Sequence, residues 1–162
     1  MDLAIIVSAS KNNVIGLKGK TPWHISKDMK RFKDITINHP VIMGRKTYEF
    51  ILETLGKPLP QRKNIVLSTT LNPGGEIHVA RNIEEALKLS DNQDTYIIGG
   101  EKIYRLFLPL VNRIELTRIH QYFDGDAFFP ETNWEEWSMI LNQRDLSEEG
   151  IPYSFLTYLR KQ

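Results

Sequence analysis

The sequence predicts an α/β fold: a single domain with a mixed, mostly parallel twisted sheet of about eight strands, an antiparallel C-terminal edge and about four flanking helices. Three observations carry that expectation. Short apolar runs alternate with amphipathic segments as far as residue 111, the pattern of a parallel sheet with crossover helices. Beyond that point the helical segments stop and strand-like runs follow one another, which suits antiparallel strands closing a sheet edge. The 162 residues contain no repeat, low-complexity tract or linker, and 41% apolar content suffices for one core, so residues 1–162 read as one domain.

"LAIIVSAS" (3–10) is a buried strand, and the polar stretch "KNNVIGLKGKTPW" (11–23) is a loop. Ser26 is a good N-cap for a helix through "SKDMKRFKDIT", where Met29, Phe32 and Ile35 recur at helical spacing. With Asp28 set at roughly 0°, Phe32 falls near 40°, Met29 near 100° and Ile35 near 340° at about 100° per residue. Lys30, Arg31, Lys33 and Asp34 are assigned to the opposite arc, which leaves a carboxylate inside the apolar stripe. "PVIMG" (40–44) is a strand leading into a helix over 45–55, and "KNIVLST" (63–69) is another strand. "NIEEALKLS" (82–90) is a short helix, "TYIIGG" (95–100) a buried strand and "EKIYRLFLPLV" (101–111) a helix. The runs 113–123, 135–146 and 152–162 are strands.

Composition excludes several classes. No run approaches the ~18 apolar residues of a membrane span. "MDLAIIVSAS" has an acid rather than basic residues ahead of its short apolar run, unlike a signal peptide. There is no cysteine, hence no disulfide or thiolate ligand, and a cytoplasmic protein is expected. His24, His39, His78 and His120 lack metal-ligand spacing and read as structural, so no metal is expected. A formal net charge of +1 argues against a nucleic-acid binder. Residues 1–63 hold 12 Lys/Arg against 5 Asp/Glu, whereas residues 64–162 hold 9 against 15. The basic first part suits anionic small ligands, unless folding interleaves the two parts.

Two strand-to-helix junctions pass through glycine. "PVIMGRKTY" runs through Gly44 into Arg45, Lys46 and Thr47, and "YIIGGEKIY" through Gly99 and Gly100 into Glu101 and Lys102. At each, free N–H groups and the positive helix end favour an anion, and glycine permits close approach. Two such anchors in one sheet suit a dinucleotide, although the Rossmann G-x-G-x-x-G is lacking. In "PLPQRKNIVLSTT", Arg62 can clamp a carboxylate and Ser68, Thr69 and Thr70 can donate to a phosphate, or they are a surface arginine and turn hydroxyls. No G-x-S-x-G is present, and a hydrolase is not expected.

"VIGLKGKTPWHISKDMKRFKDIT", "PVIMGRKTYE", "PLPQRKNIVLS", "YIIGGEKIY", "ELTRIH" and "GDAFFPE" stand in the order and spacing of bacterial dihydrofolate reductases, from Leu3 to about Phe155. The sequence resembles that family, and the resemblance implies NADPH-dependent reduction of dihydrofolate by a monomer without nucleic-acid or membrane partners. It implies that Asp28 is the one ionisable side chain of the pterin pocket, promoting N5 protonation with water as donor. Burial there would raise its pKa. Thr117 would hydrogen-bond the acid and Trp23 would hold a water near it.

On the same resemblance the carbonyls of Ile6 and Ile98 would accept from the pterin amino group. Phe32, Met29, Ile51 and Leu59 would wall the aminobenzoyl ring, with Tyr104 nearby, and Arg62 and Lys57 would take the glutamate. For NADPH, Ser8 and Ile15 would bind the carboxamide, with Gly16, Leu17 and Asp126 in the adjoining loops. Gly44, Arg45, Lys46, Leu67, Ser68 and Thr69 would surround the 2′-phosphate. Thr47, Ile98, Gly99, Gly100, Glu101, Lys102, Ile103 and Tyr104 would line the pyrophosphate side, and Arg81 the adenosine end. The Gly99–Gly100 bond is expected to be cis.

The sequence departs from the family pattern in places. Glu101 stands where many members have a third glycine and is expected to point to solvent. Lys102 replaces an arginine common in one branch, Thr21 a frequent methionine, and "EFILETLGK" is a few residues longer than in compact members. Rival readings are a riboflavin-pathway pyrimidine reductase of the same fold and a non-catalytic NADPH-binding regulator. Neither needs the Asp28 and Arg62 pair.

Overall fold

A computed structural model describes residues 1–162. The elements are β1 (Leu3–Ser10), β2 (Val14–Gly16), α1 (Ser26–Thr36), β3 (Pro40–Gly44), α2 (Arg45–Leu55), β4 (Lys63–Leu67), β5 (Ile77–Ala80), α3 (Ile83–Leu89), β6 (Thr95–Gly99), α4 (Glu101–Phe107), β7 (Arg113–Ile119), β8 (Ala127–Phe128), β9 (Trp137–Glu148) and β10 (Ile151–Arg160). A single 3₁₀ turn, Trp134–Glu136, precedes β9.

Eight strands form one sheet in the order β5-β4-β3-β6-β1-β7-β10-β9. The first six run parallel, while β10 is antiparallel to both β7 and β9. The C-terminal edge is therefore antiparallel as expected, with one correction: β7 belongs to the parallel half and β10 inserts between it and β9. β1 is apolar almost throughout because both faces are covered. Ile5, Val7 and Ala9 join Ile103 and Phe107 of α4 on one side. On the other, Val41, Met43 and Val66 pack with Ile51 of α2. β2 and β8 pair in a separate two-stranded sheet.

Several boundaries differ from the sequence reading, each for a local reason. Ser26 is the first residue of α1 rather than its cap, and Ile25 at the cap position supplies no side-chain bond. The carboxylate of Glu148 does that work from the end of β9, accepting the Ser26 N–H at 2.8 Å, and this bond holds the Glu148 carboxyl below its ordinary range. α4 stops at Phe107, four residues early, because Pro109 lacks the N–H a further turn needs. β4 ends at Leu67, where Ser68 and Thr69 turn away. β5 had no clear signal, since only Ile77 and Ala80 of its four residues are buried. α3 begins as expected: Asn82 accepts the Glu85 N–H at 2.8 Å and Glu85 accepts the Arg81 N–H at 2.7 Å, a reciprocal cap.

Candidate active site

Register across three strands lays out the acid side of the cleft. Ser8 of β1 pairs with Thr117 of β7, which pairs with Phe155 of β10; two residues along, Ile6, Glu115 and Thr157 form the next row. Strand side chains alternate, so both rows share one face. α1 lies over it. Asp28 accepts the Thr117 hydroxyl at 2.5 Å, and the Ser8 hydroxyl faces the same carboxylate. Burial pushes the Asp28 carboxyl above its ordinary range, while the Thr117 hydroxyl, the Arg31 guanidinium and the Ser8 hydroxyl pull it back.

Trp23 stands in this pocket, but its single N–H donates to Ser8 Oγ at 3.0 Å. Trp23 is thereby held beside Ser8, whose hydroxyl faces the Asp28 carboxylate. Tyr104 is buried, with its phenol pushed up by burial, and donates to the Ile6 carbonyl at 2.8 Å. One lone pair of that carbonyl is thus taken, and the other remains for a ligand N–H.

The placement of Arg31 is a correction. At helical pitch it lies only about 60° from Asp28, so it flanks the acid rather than opposing it. Its guanidinium meets Glu115 at 2.8 Å and stacks on the Phe155 ring at 4.7 Å. Met29 is 58% exposed and stands outside the buried apolar groups, whereas Phe32, Ile51 and Leu59 pack together. The longer segment after Glu49 keeps Ile51 buried and ends α2 at Gly56, which takes φ 75° and closes the helix by donating to Leu52 O at 2.8 Å. Beyond Leu59, Arg62 is fixed by the Pro60 carbonyl (2.8 Å) and Thr36 Oγ1 (3.1 Å). Its second amino group is left to meet a carboxylate, and Lys57 borders the same groove.

On the other side, parallel pairing places Gly44 beside Leu67 and Met43 beside Gly99, which brings the two glycine junctions together at the carboxyl ends of β3, β4 and β6. Arg45, Lys46 and Thr47 of α2 therefore start next to Ser68 and Thr69. Arg45 pairs with Glu49 at 3.0 Å and Lys46 is exposed. Ser68 Oγ accepts from the Thr70 and Leu71 N–H groups, while Arg81 donates to the Ser68 and Leu71 carbonyls, so Arg81 braces this loop. The Gly99–Gly100 peptide is cis. Gly99 has φ +115°, and a Cβ there would stand 3.1 Å from the Tyr104 ring; at Gly44 it would stand 3.0 Å from Ile103 Cγ1. Lys102 is exposed beside this turn, and Ile98, half-buried, precedes it. Two helix starts with cations and hydroxyls around them, backed at Gly44 and Gly99 by positions where a side chain would be crowded, fit a phosphate-rich dinucleotide.

The small β2–β8 sheet carries the loop after β1, here termed the lid. Asp126 donates its N–H to Gly16 O at 3.0 Å and accepts the Lys18 N–H at 3.1 Å, while Leu17 and Lys20 close the turn between them. Ile15 and Gly16 thus sit on β2, and Asp126 is bonded to the turn that follows it. Glu101 does more than point to solvent: its part-exposed carboxylate accepts the Phe128 N–H of β8 at 2.6 Å and pairs with Arg105 at 3.2 Å. That ties the start of α4 to the lid. The Arg31–Glu115 pair was missed in the sequence, and Ser8 was read as a cofactor residue and not as a neighbour of Asp28, although Arg31 three residues after Asp28 and Glu115 two before Thr117 carried the signal.

The class this fold and site define is a nucleotide-binding α/β protein with an acid opposite two glycine-backed helix starts. The family model for dihydrofolate reductase matches residues 2–160. A dihydrofolate reductase of Haemophilus influenzae is 38% identical, covering 99% of this chain and all of its own length. One from Staphylococcus haemolyticus is 36% identical over 98% of this chain and 95% of its own. The solved structure of dihydrofolate reductase from Enterococcus faecalis, in complex with NADP(H) and RAB-propyl, superposes with a TM-score of 0.89 at 32% identity, covering 99% and 97% of the two chains. The chain belongs to the dihydrofolate reductase family.

Proposed function

We propose that the protein reduces 7,8-dihydrofolate to 5,6,7,8-tetrahydrofolate with NADPH, with Asp28 promoting protonation of N5. The observation that carries this reading is a carboxylate turned into a pocket, held by Thr117, and opposite two glycine-backed helix starts. NADPH, bound along Gly44–Thr47, Ser68, Thr69 and Gly99–Lys102, supplies the hydride for C6. The chain's own part is to bind, orient and manage a proton. Asp28 pairs with the pterin ring's N–H groups, and its field raises the basicity of N5, which takes its proton from water. Tyr104 fixes the Ile6 carbonyl, Phe32, Ile51 and Leu59 hold the aminobenzoyl ring, and Arg62 takes the glutamate carboxylate. The lid through Ile15, Gly16 and Asp126 excludes bulk water while the proton is placed. The protein is read as a cytoplasmic monomer supporting one-carbon metabolism; no helix is long and apolar enough to cross a membrane.

The test is loss of NADPH absorbance on adding dihydrofolate, with NADH in parallel. Turnover with NADPH preferred is expected. Tight NADPH binding without dihydrofolate reduction would overturn the reading in favour of a non-catalytic regulator. Reduction of a pyrimidine substrate alone would favour the riboflavin-pathway reading.

A further inference from the structure

α1 and β7 meet through two rungs. Asp28 and Arg31 are one helical turn apart on the same side of α1, and Thr117 and Glu115 are two residues apart on the same face of β7. The first rung is Asp28 to Thr117 at 2.5 Å, the second Arg31 to Glu115 at 2.8 Å. The second rung is more than a surface pair. Glu115 is 6% exposed, and its carboxylate also accepts the Thr157 hydroxyl at 2.6 Å and Arg113 Nη1 at 3.3 Å. Arg31 is further fixed by the ring of Phe155, the register partner of Thr117. The Arg31 side chain, 17% exposed and held from two directions, is only partly screened by solvent from the acid beside it.

We propose that Arg31, anchored by Glu115 and Thr157, is a positioning residue that keeps Asp28 a carboxylate in its pocket and so sets the pH range of the proton-dependent step. The proposal rests on the functional reading above.

The other groups facing Asp28 do not supply a charge. Thr117 of β7 and Ser8 of β1 are hydroxyls, and Trp23 of the preceding loop offers an indole. Tyr104 of α4 and Tyr153 of β10 are kept neutral by burial. Arg31 is the cation nearest the acid, and Glu115 stands behind it with the opposite sign. The attraction of Arg31 opposes the burial that drives Asp28 toward its neutral form. A rung that merely pegged α1 to the sheet would leave the acidity of Asp28 alone.

The experiment follows the carboxyl carbon of Asp28 by ¹³C NMR across pH, alongside the pH dependence of dihydrofolate reduction, in the parent and in Arg31→Met, Arg31→Lys and Glu115→Gln. Arg31→Met is expected to raise the Asp28 midpoint by on the order of half a pH unit. Arg31→Lys should restore most of that shift, and Glu115→Gln, whose amide oxygen still accepts from Arg31, should lower the midpoint, because the cation keeps its anchor and loses its counter-charge. The midpoint of the rate profile should move with each. A midpoint unmoved by Arg31→Met, or moved the same way by Arg31→Met and Glu115→Gln, would overturn the proposal and leave a structural peg. Should Arg31→Met fail to fold, Glu115→Gln decides alone: a lowered midpoint supports the proposal, and an unchanged or raised one overturns it. A parent that titrates as described without reducing dihydrofolate would defeat the functional reading instead.

Discussion

At the ends of β3 and β6 the groups that face the cleft are backbone N–H groups, and the residues that expose them are Gly44, Gly99 and Gly100. At the α1–β7 crossing the facing groups are side chains contributed by four elements: Asp28 and Arg31 of α1, Ser8 of β1, Thr117 and Glu115 of β7, and Phe155 and Thr157 of β10. The first site depends on there being no atom where a side chain would begin. The second depends on which atom and which charge each side chain presents. A backbone site therefore fails by strain or steric insertion, most severely for the fold at Gly99, whereas a side-chain site fails chemically while the fold survives.

The largest expected effect is that of Gly99→Ala. Its φ of +115° is a conformation that L residues rarely adopt, and the new methyl would meet the Tyr104 ring at 3.1 Å. A loss of about 2–4 kcal/mol in denaturant unfolding, with NADPH binding abolished, is expected. Gly44→Ala sharpens the contrast, since its φ of −85° is ordinary and only the flexible Ile103 crowds it. It should cost about 1 kcal/mol and be relieved by Ile103→Val. Equal losses at the two glycines would break the distinction between strain and crowding.

Next in size is Glu101→Ala, which removes the acceptor of the Phe128 N–H without touching a helix core. The Phe128 amide should exchange faster by a factor matching about 1 kcal/mol, while the global unfolding midpoint holds. Unchanged exchange would show that Glu101 does not tie α4 to the lid.

The smallest effect runs the other way. Burial raises the Asp28 carboxyl above its ordinary value of 3.8, so the folded chain binds that proton more tightly than the unfolded one. Stability therefore falls as pH rises from 3.8 through the raised folded value, and at neutral pH the full penalty is present. Asp28→Asn should raise Tm by about 2 °C at neutral pH and lose that gain in acid. A lower Tm at neutral pH would mean that the Thr117 bond outweighs desolvation.

The backbone site was largely legible, because its requirements are carried by single residues in a row: a strand, a glycine and a helix start can be read from "PVIMGRKTY" and "YIIGGEKIY". The acid was legible as a carboxylate inside the α1 stripe, and the parallel half of the sheet as alternating runs. What escaped depends on register. Nothing within "ELTRIH" says that Glu115 and Thr117 lie beneath α1, or that Thr157, some forty residues on, completes the row. Glu148 capping α1 and Glu101 reaching β8 are likewise contacts between distant segments.

The most direct test of the account is the rate of dihydrofolate reduction by Asp28→Asn against the parent, across a range from about pH 5 to about pH 9. The account predicts a loss of about 10²–10⁴-fold near neutrality that shrinks as the pH falls, because solution protons then do what the carboxylate promotes. A variant as active as the parent near neutrality, or one impaired equally at every pH, would contradict it.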